Sequence, residues 1–271
     1  MQKKIAFYGK GGIGKSTTAA NVSAAWAESS YQVCQIGCDP KNDSTRLLLG
    51  RVCSQTVLDM VKKYGEEVKT EQIVQRGFGG VHCVEAGGPE PGVGCAGRGI
   101  IVALEKLKAL RALPEDAVIL YDVLGDVVCG GFAVPIREGY ATDIYIVSSG
   151  ELMSLYAANN IAKGIARYAA RGPVRLGGII GNSRGIANEQ ALLAEFAQRL
   201  NTSLIAYIPR DRIVNKAEIH RQTVIEFAAD SQQATVYRQL AAVICNDPVL
   251  SVPTPLAFSE LEELVLAYGD E

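Results

Sequence analysis

The sequence predicts an α/β fold: a mostly parallel, doubly wound sheet flanked by helices. Three observations carry this reading. Short, nearly continuous apolar runs recur along the chain, as expected of strands buried on both faces of a parallel sheet. Amphipathic segments of helical period lie between them, so that right-handed crossovers can join one run to the next. Glycine clusters at 9–14, 87–99 and 125–131 fall at the ends of such runs, where open α/β sheets bind their ligands.

Taken in order, the strands are expected at 5–8, 33–36, 81–84, 118–121, 144–147, 176–180 and 204–208. Each is a run of a few apolar residues, too short for a helix. Helices are expected at 15–28, 99–109, 151–168, 188–200, 231–244 and 259–268. The 151–168 segment shows the pattern best, with Leu152, Leu155, Ala158, Ala162 and Ile165 on one face. No Pro- or Ser-rich linker, low-complexity tract or repeat interrupts the series, so residues 1–271 read as one domain.

Composition narrows the function classes. The chain is 48% hydrophobic and carries a net charge of −2, which argues against disorder and against a basic nucleic-acid-binding surface. No apolar run approaches the ~18 residues of a membrane span. The start, Met1-Gln2-Lys3-Lys4-Ile5, runs directly into a strand and has no cleavage-site pattern of a signal peptide. A cytoplasmic protein is expected. Seven cysteines without a C-x-x-C pair suit reduced thiols better than a disulfide framework.

The first chemical motif is Gly9-Lys10-Gly11-Gly12-Ile13-Gly14-Lys15-Ser16-Thr17, which matches G-x-x-x-x-G-K-[ST] between a strand and a helix. Backbone N–H groups of such a loop wrap a phosphate, and the helix N-terminus adds a favourable dipole. Lys15 would neutralise the β- and γ-phosphate oxygens, and Ser16 would ligate Mg²⁺. ATP or ADP with Mg²⁺ is the expected ligand, on a P-loop NTPase fold. Acids at strand ends supply the rest: Asp39 after one run and Asp122 after another, with Asp122 the Walker-B candidate on pattern alone.

Two cysteines stand apart from the other five. Cys95 in Gly94-Cys95-Ala96-Gly97 and Cys129 in Val128-Cys129-Gly130-Gly131 are set among glycines, which permit close backbone approach. Buried structural thiols are one explanation. The other is an iron–sulfur cluster, which takes four thiolates; a two-fold dimer would supply 2 × 2 = 4.

Several segments together resemble the nitrogenase iron protein family. They are residues 9–18, Gly37-Cys38-Asp39-Pro40-Lys41, residues 87–99 around Cys95, and residues 121–132 around Cys129. The similarity continues through Asn182-Ser183-Arg184 and Pro209-Arg210-Asp211 to Leu261-Glu262-Glu263-Leu264, essentially the whole chain. The resemblance implies a homodimer with one [4Fe–4S] cluster, held by Cys95 and Cys129 of both chains. MgATP hydrolysis would gate one-electron transfer from a ferredoxin- or flavodoxin-type donor to a nitrogenase-like catalytic metalloenzyme.

By the same resemblance Lys10, Lys15 and Lys41 contact phosphates, with Lys10 reaching across the dimer. Asp39, Asp43 and Asp126 serve the magnesium and water chemistry, so that Lys10, Lys15, Asp39 and Asp126 form the catalytic set. Asn182, Pro209, Arg210, Asp211, Glu218, Gln233 and Tyr237 surround the nucleoside. Residues 39–44 correspond to switch I and 122–129 to switch II. Asn42 departs from the alanine usual in nitrogenase iron proteins, and Asn215 from a common glutamine. Relatives serve nitrogenase, tetrapyrrole reduction or cyclisation, and methylthio-alkane reduction; residues 89–99 are nearer the nitrogenase pattern than the tetrapyrrole branch. The competing reading is a cluster-free deviant P-loop ATPase of the partition or positioning type, which explains Lys10 but not the two cysteines.

Overall fold

A computed structural model describes residues 2–88, 96–123, 133–246 and 249–268. Cys95, Asp126 and Cys129 lie outside these residues.

The strands are β1 (Lys3–Tyr8), β2 (Val33–Gly37), β3 (Gln75–Arg76), β4 (His82–Glu85), β5 (Val118–Asp122), β6 (Asp143–Ser148), β7 (Arg175–Asn182) and β8 (Leu204–Ile208). They form one sheet in the order β3-β4-β2-β5-β1-β6-β7-β8, parallel except for the β3–β4 pair. The strand order reverses direction beside β1, the position at which a doubly wound sheet opens a crevice at its carboxyl edge.

The apolar runs are continuous because each strand feeds two cores. Ala6 and Tyr8 of β1 join the core on one face, while Ile5 and Phe7 join the core on the other. The second face is covered by α1 (Lys15–Glu28); α2 (Arg46–Leu49) packs at its margin. The first face is covered by α3 (Val57–Tyr64), α4 (Thr70–Ile73), α5 (Ala96–Ala109), α6 (Val134–Arg137), α7 (Leu152–Ala169) and α8 (Glu189–Arg199). The chain then returns to the α1 side with α9 (Arg212–Ile219), α10 (Val224–Phe227) and α11 (Gln232–Cys245), and ends on the first face with α12 (Phe258–Tyr268).

All seven expected strands and all six expected helices are present, with ends shifted by up to three residues. One boundary has a clear cause. Asn188 was expected inside α8 but takes φ +54° and precedes the helix, a left-handed conformation that asparagine tolerates. The two-residue β3 and the short helices α2, α3, α4, α6, α9 and α10 were not expected. Several of these rest on caps rather than on periodicity. In α3, Thr56 Oγ1 accepts from the Asp59 N–H at 3.1 Å and the Asp59 carboxylate accepts from the Thr56 N–H at 3.2 Å.

Candidate nucleotide-binding site

The loop after β1 is shaped by glycines at two points where a side chain has no room. A Cβ on Gly9 would lie 2.3 Å from the Val147 carbonyl oxygen, and one on Gly14, at φ +90°, would lie 2.3 Å from Asn182 Nδ2. Gly14 caps α1 without a side-chain acceptor, so no capping side chain competes for the first amides of the helix.

Lys15, the first residue of α1, is buried and paired with the Asp122 carboxylate at the end of β5. The other Asp122 oxygen accepts from Ser44 Oγ at 2.6 Å. Gln35 Nε2 in turn donates to the Ser44 carbonyl at 2.9 Å and to its hydroxyl at 3.1 Å. The P-loop lysine is thereby joined through Asp122 to the 39–44 segment. Asp122 is buried and does not line the cleft.

The cleft encloses about 830 Å³. Lys10 through Thr17 line it, together with Asp39, Lys41 and Asp43 on one side. Asn182, Pro209, Arg210, Asp211, Glu218, Gln233 and Tyr237 line the other. Every expected nucleotide-site residue among the described ones therefore converges here, except Gly9, which stands behind the loop. Its contents are those of a phosphate and magnesium site: ammonium and guanidinium groups beside a serine hydroxyl and carboxylates, hard oxygen donors of the kind Mg²⁺ takes. Asp39 is half-buried, and burial raises its carboxyl above the ordinary range although it accepts from the Lys41 N–H at 2.9 Å.

The opposite wall of the cleft is held by contacts between elements distant in sequence. The Asn182 amide donates to the Ile13 carbonyl, and the Arg184 guanidinium donates to the Gly12 carbonyl. Asp211 caps α9, its carboxylate accepting from the Ile213 N–H at 2.8 Å. Glu218 pairs with Arg46 at 2.6 Å, joining α9 to α2. Gln233 is only 2% exposed and stands beside Tyr237 in the cleft lining. Burial pushes the neighbouring Tyr237 hydroxyl up to about 12.

Some contributors carry no motif and were missed from sequence. Arg184 belongs to no motif of its own, only to the Asn182-Ser183-Arg184 segment. Glu85, buried at the end of β4, accepts from the Thr45 N–H and hydroxyl, both at 2.7 Å, and so fixes the chain just after Ser44. Asn42 takes φ +57°, a left-handed conformation that asparagine tolerates.

The remaining cysteines behave as expected of core thiols. Cys34, Cys38, Cys53 and Cys83 are buried and Cys245 is half-buried. Burial pushes the Cys34 thiol up to about 12 and also raises Cys38 and Cys83. Among the described residues no group of three or more His, Cys, Asp or Glu is placed to hold a metal. β4 and β5, after which Cys95 and Cys129 follow in sequence, flank β2 in the sheet.

A family model of "4Fe-4S iron sulfur cluster binding proteins, NifH/frxC family" matches residues 3–271. The chain belongs to the NifH/frxC family. Solved structures similar to this family member share its fold at low identity. The septum site-determining protein MinD of Pyrococcus horikoshii, complexed with Mg-ADP, has a TM-score of 0.71 at 19% identity and covers 91% of this chain and 97% of its own. A ParA family ATPase of Chlorobium tepidum gives 0.67 at 21%, covering 89% and 98%. Cobyrinic acid a,c-diamide synthase of Mycobacterium smegmatis, with bound ADP and magnesium, gives 0.64 at 18%, covering 94% and 100%. The α/β P-loop NTPase fold is thus shared between this NifH/frxC chain and proteins of other kinds, among them a ParA family ATPase and a synthase. Among the described residues no helix is long and apolar enough to cross a membrane.

Proposed function

We propose that this chain is the ATP-dependent reductase component of a nitrogenase-like system. It would act as a cytoplasmic homodimer, residues 1–271 forming one domain. The observation that carries the reading is the convergence of the Lys10–Thr17 loop, the 39–43 segment and the nucleoside-side residues on one cleft in a chain of an iron–sulfur family.

Each described residue has a part that its position supports. Lys15 neutralises phosphate oxygens, and the loop amides wrap them. Ser16 would ligate Mg²⁺, and Asp39 and Asp43, which line the same cleft, would serve the metal and its waters. Lys41 adds charge on the same side, and Lys10 reaches the nucleotide of the second copy. Asn182, Pro209, Arg210, Asp211, Glu218, Gln233 and Tyr237 close round the nucleoside. Asp126, outside the described residues, is assigned to the attacking water by the family resemblance alone. A [4Fe–4S] cluster, held by Cys95 and Cys129 of both chains, supplies a one-electron centre when bound. The reducing partner is a ferredoxin- or flavodoxin-type donor, and the acceptor is a nitrogenase-like metalloenzyme.

Purification under anaerobic conditions tests this directly. A brown dimer with about four irons per two chains is expected, lost in Cys129→Ala. A colourless, iron-free anaerobic preparation that hydrolyses ATP overturns it. That result supports the second reading, a cluster-free partition-type ATPase, which the likeness to MinD and ParA structures favours.

A further inference from the structure

Glu189, the first residue of α8, is 2% exposed, yet its carboxylate is filled with donors from three other segments. Oε1 accepts from the Gly150 N–H at 2.9 Å, in the turn after β6. Oε2 accepts from Ser183 Oγ at 2.9 Å, from the Arg184 N–H at 2.9 Å, and from the Gly185 N–H at 3.2 Å. Tyr207 of β8 shares its single hydroxyl proton between Ser183 Oγ at 2.9 Å and the same carboxylate oxygen at 3.2 Å. A carboxylate offers about four acceptor sites and no donor, which is what this set of N–H and O–H groups needs.

The loop so gathered, 182–185, is the one that supports the phosphate loop. Its Asn182 donates to the Ile13 carbonyl and its Arg184 to the Gly12 carbonyl. Those two bonds engage backbone carbonyls of the phosphate-binding turn, and a bonded carbonyl fixes its peptide plane and hence the direction of the adjoining N–H. Glu189 itself does not line the cleft. Its favourable place at a helix N-terminus would account for an acid there, but not for the convergence of Gly150, the 183–185 amides and Tyr207 on it.

We propose that Glu189 is a positioning residue for the nucleotide: it holds loop 182–185 so that Asn182 and Arg184 keep the phosphate loop in its binding shape. This rests on the nucleotide-binding reading above. Replacing the acid by glutamine keeps its size but turns an NH₂ group toward donors, so the loop loses its anchor while the core contacts of α8 remain.

The test is a titration of the full chain with a fluorescent ADP analogue and Mg²⁺, on wild type, Glu189→Gln, Arg184→Ala and the double variant. Glu189→Gln is expected to weaken binding about tenfold, equivalent to about 1.4 kcal/mol. Because Arg184 acts through the same loop, the double variant is expected to be little weaker than Glu189→Gln alone. A purely structural acid would lower the unfolding temperature and leave affinity in the folded state unchanged. That outcome overturns the proposal, as do fully additive effects in the double variant. If Glu189→Gln does not fold, Tyr207→Phe removes one donor only and reads the same coupling to Arg184→Ala; additivity there overturns the proposal too. A wild-type chain that binds no nucleotide overturns the nucleotide reading itself, whereas a binding wild type with an equally tight Glu189→Gln overturns only the role of Glu189.

Discussion

Lys15 and Asp122 form a buried ion pair, their side chains 9% and 1% exposed, which joins the phosphate loop to the end of β5. Asp122 also accepts from Ser44, so the same carboxylate joins the lysine to the 39–44 segment. A phosphate entering the cleft competes with Asp122 for the ammonium. The pair therefore links Ser44 of one candidate switch segment, through Asp122 at the start of the other, to the lysine of the phosphate loop.

Removing one partner leaves the other charged and buried. Lys15→Ala is expected to destabilise the nucleotide-free chain by about 3–5 kcal/mol, besides abolishing nucleotide binding. The double substitution Lys15→Met with Asp122→Asn should recover most of that stability while binding stays lost. Urea unfolding of the nucleotide-free proteins measures both. A Lys15→Ala chain as stable as wild type would show that the pair is not formed in solution.

Gly14 and Gly11 should respond differently to alanine. At Gly14 the new Cβ meets Asn182 Nδ2 at 2.3 Å and the backbone stands at φ +90°, so the tie to Ile13 is broken. At Gly11 nothing lies within 4 Å of the new atom. Gly14→Ala is expected to weaken Mg-ADP binding by more than about tenfold. Gly11→Ala should shift unfolding free energy by less than about 1 kcal/mol. Thermal unfolding with and without nucleotide separates the two effects.

Magnesium should stabilise the chain only through the nucleotide. At a ligand concentration about 100 times its Kd, Mg-ADP adds about 2.7 kcal/mol to the unfolding free energy. Chelation with EDTA, or Ser16→Ala, should reduce that increment, while EDTA without nucleotide changes nothing. A melting temperature that falls on chelation in the absence of nucleotide would contradict this.

What was legible in sequence was whatever repeats or keeps a fixed spacing. The β1 loop and α1 were readable because Gly9 to Thr17 must be adjacent to wrap a phosphate. The strands were readable because burial on two faces leaves no polar alternation. The far wall of the cleft, Asn182 through Tyr237, came only from resemblance, since its residues meet through the sheet order and not through spacing. Glu85 and Glu189 gave no signal at all. Each is a single acid whose role depends on the amides folded around it: Thr45 for one and the 183–185 loop for the other. Sequence cannot show that a carboxylate is buried until the fold has placed its neighbours.

Glu85 makes that point testable through pH. Its Oε1 is satisfied by Thr45, but Oε2 is buried without a partner among the described residues, and a Cβ on Gly37 would lie 1.9 Å from it. Burial, only partly offset by the Thr45 hydrogen bonds, pushes the Glu85 carboxyl up to about 8. The folded chain therefore keeps a proton that the unfolded chain releases at the ordinary value near 4.5. Between these values the folded state binds more protons, so its stability falls as pH rises, and this contribution levels off above about 8. Glu85→Gln, a permanently neutral analogue, should remove that slope and gain on wild type toward the alkaline end. Parallel urea titrations at pH 5.5, 7 and 8.5 (about one and a half units apart, enough to span the window) decide it. Equal pH slopes in the two proteins would mean that Glu85 is ionised in the folded chain and that its second oxygen finds a partner in solution.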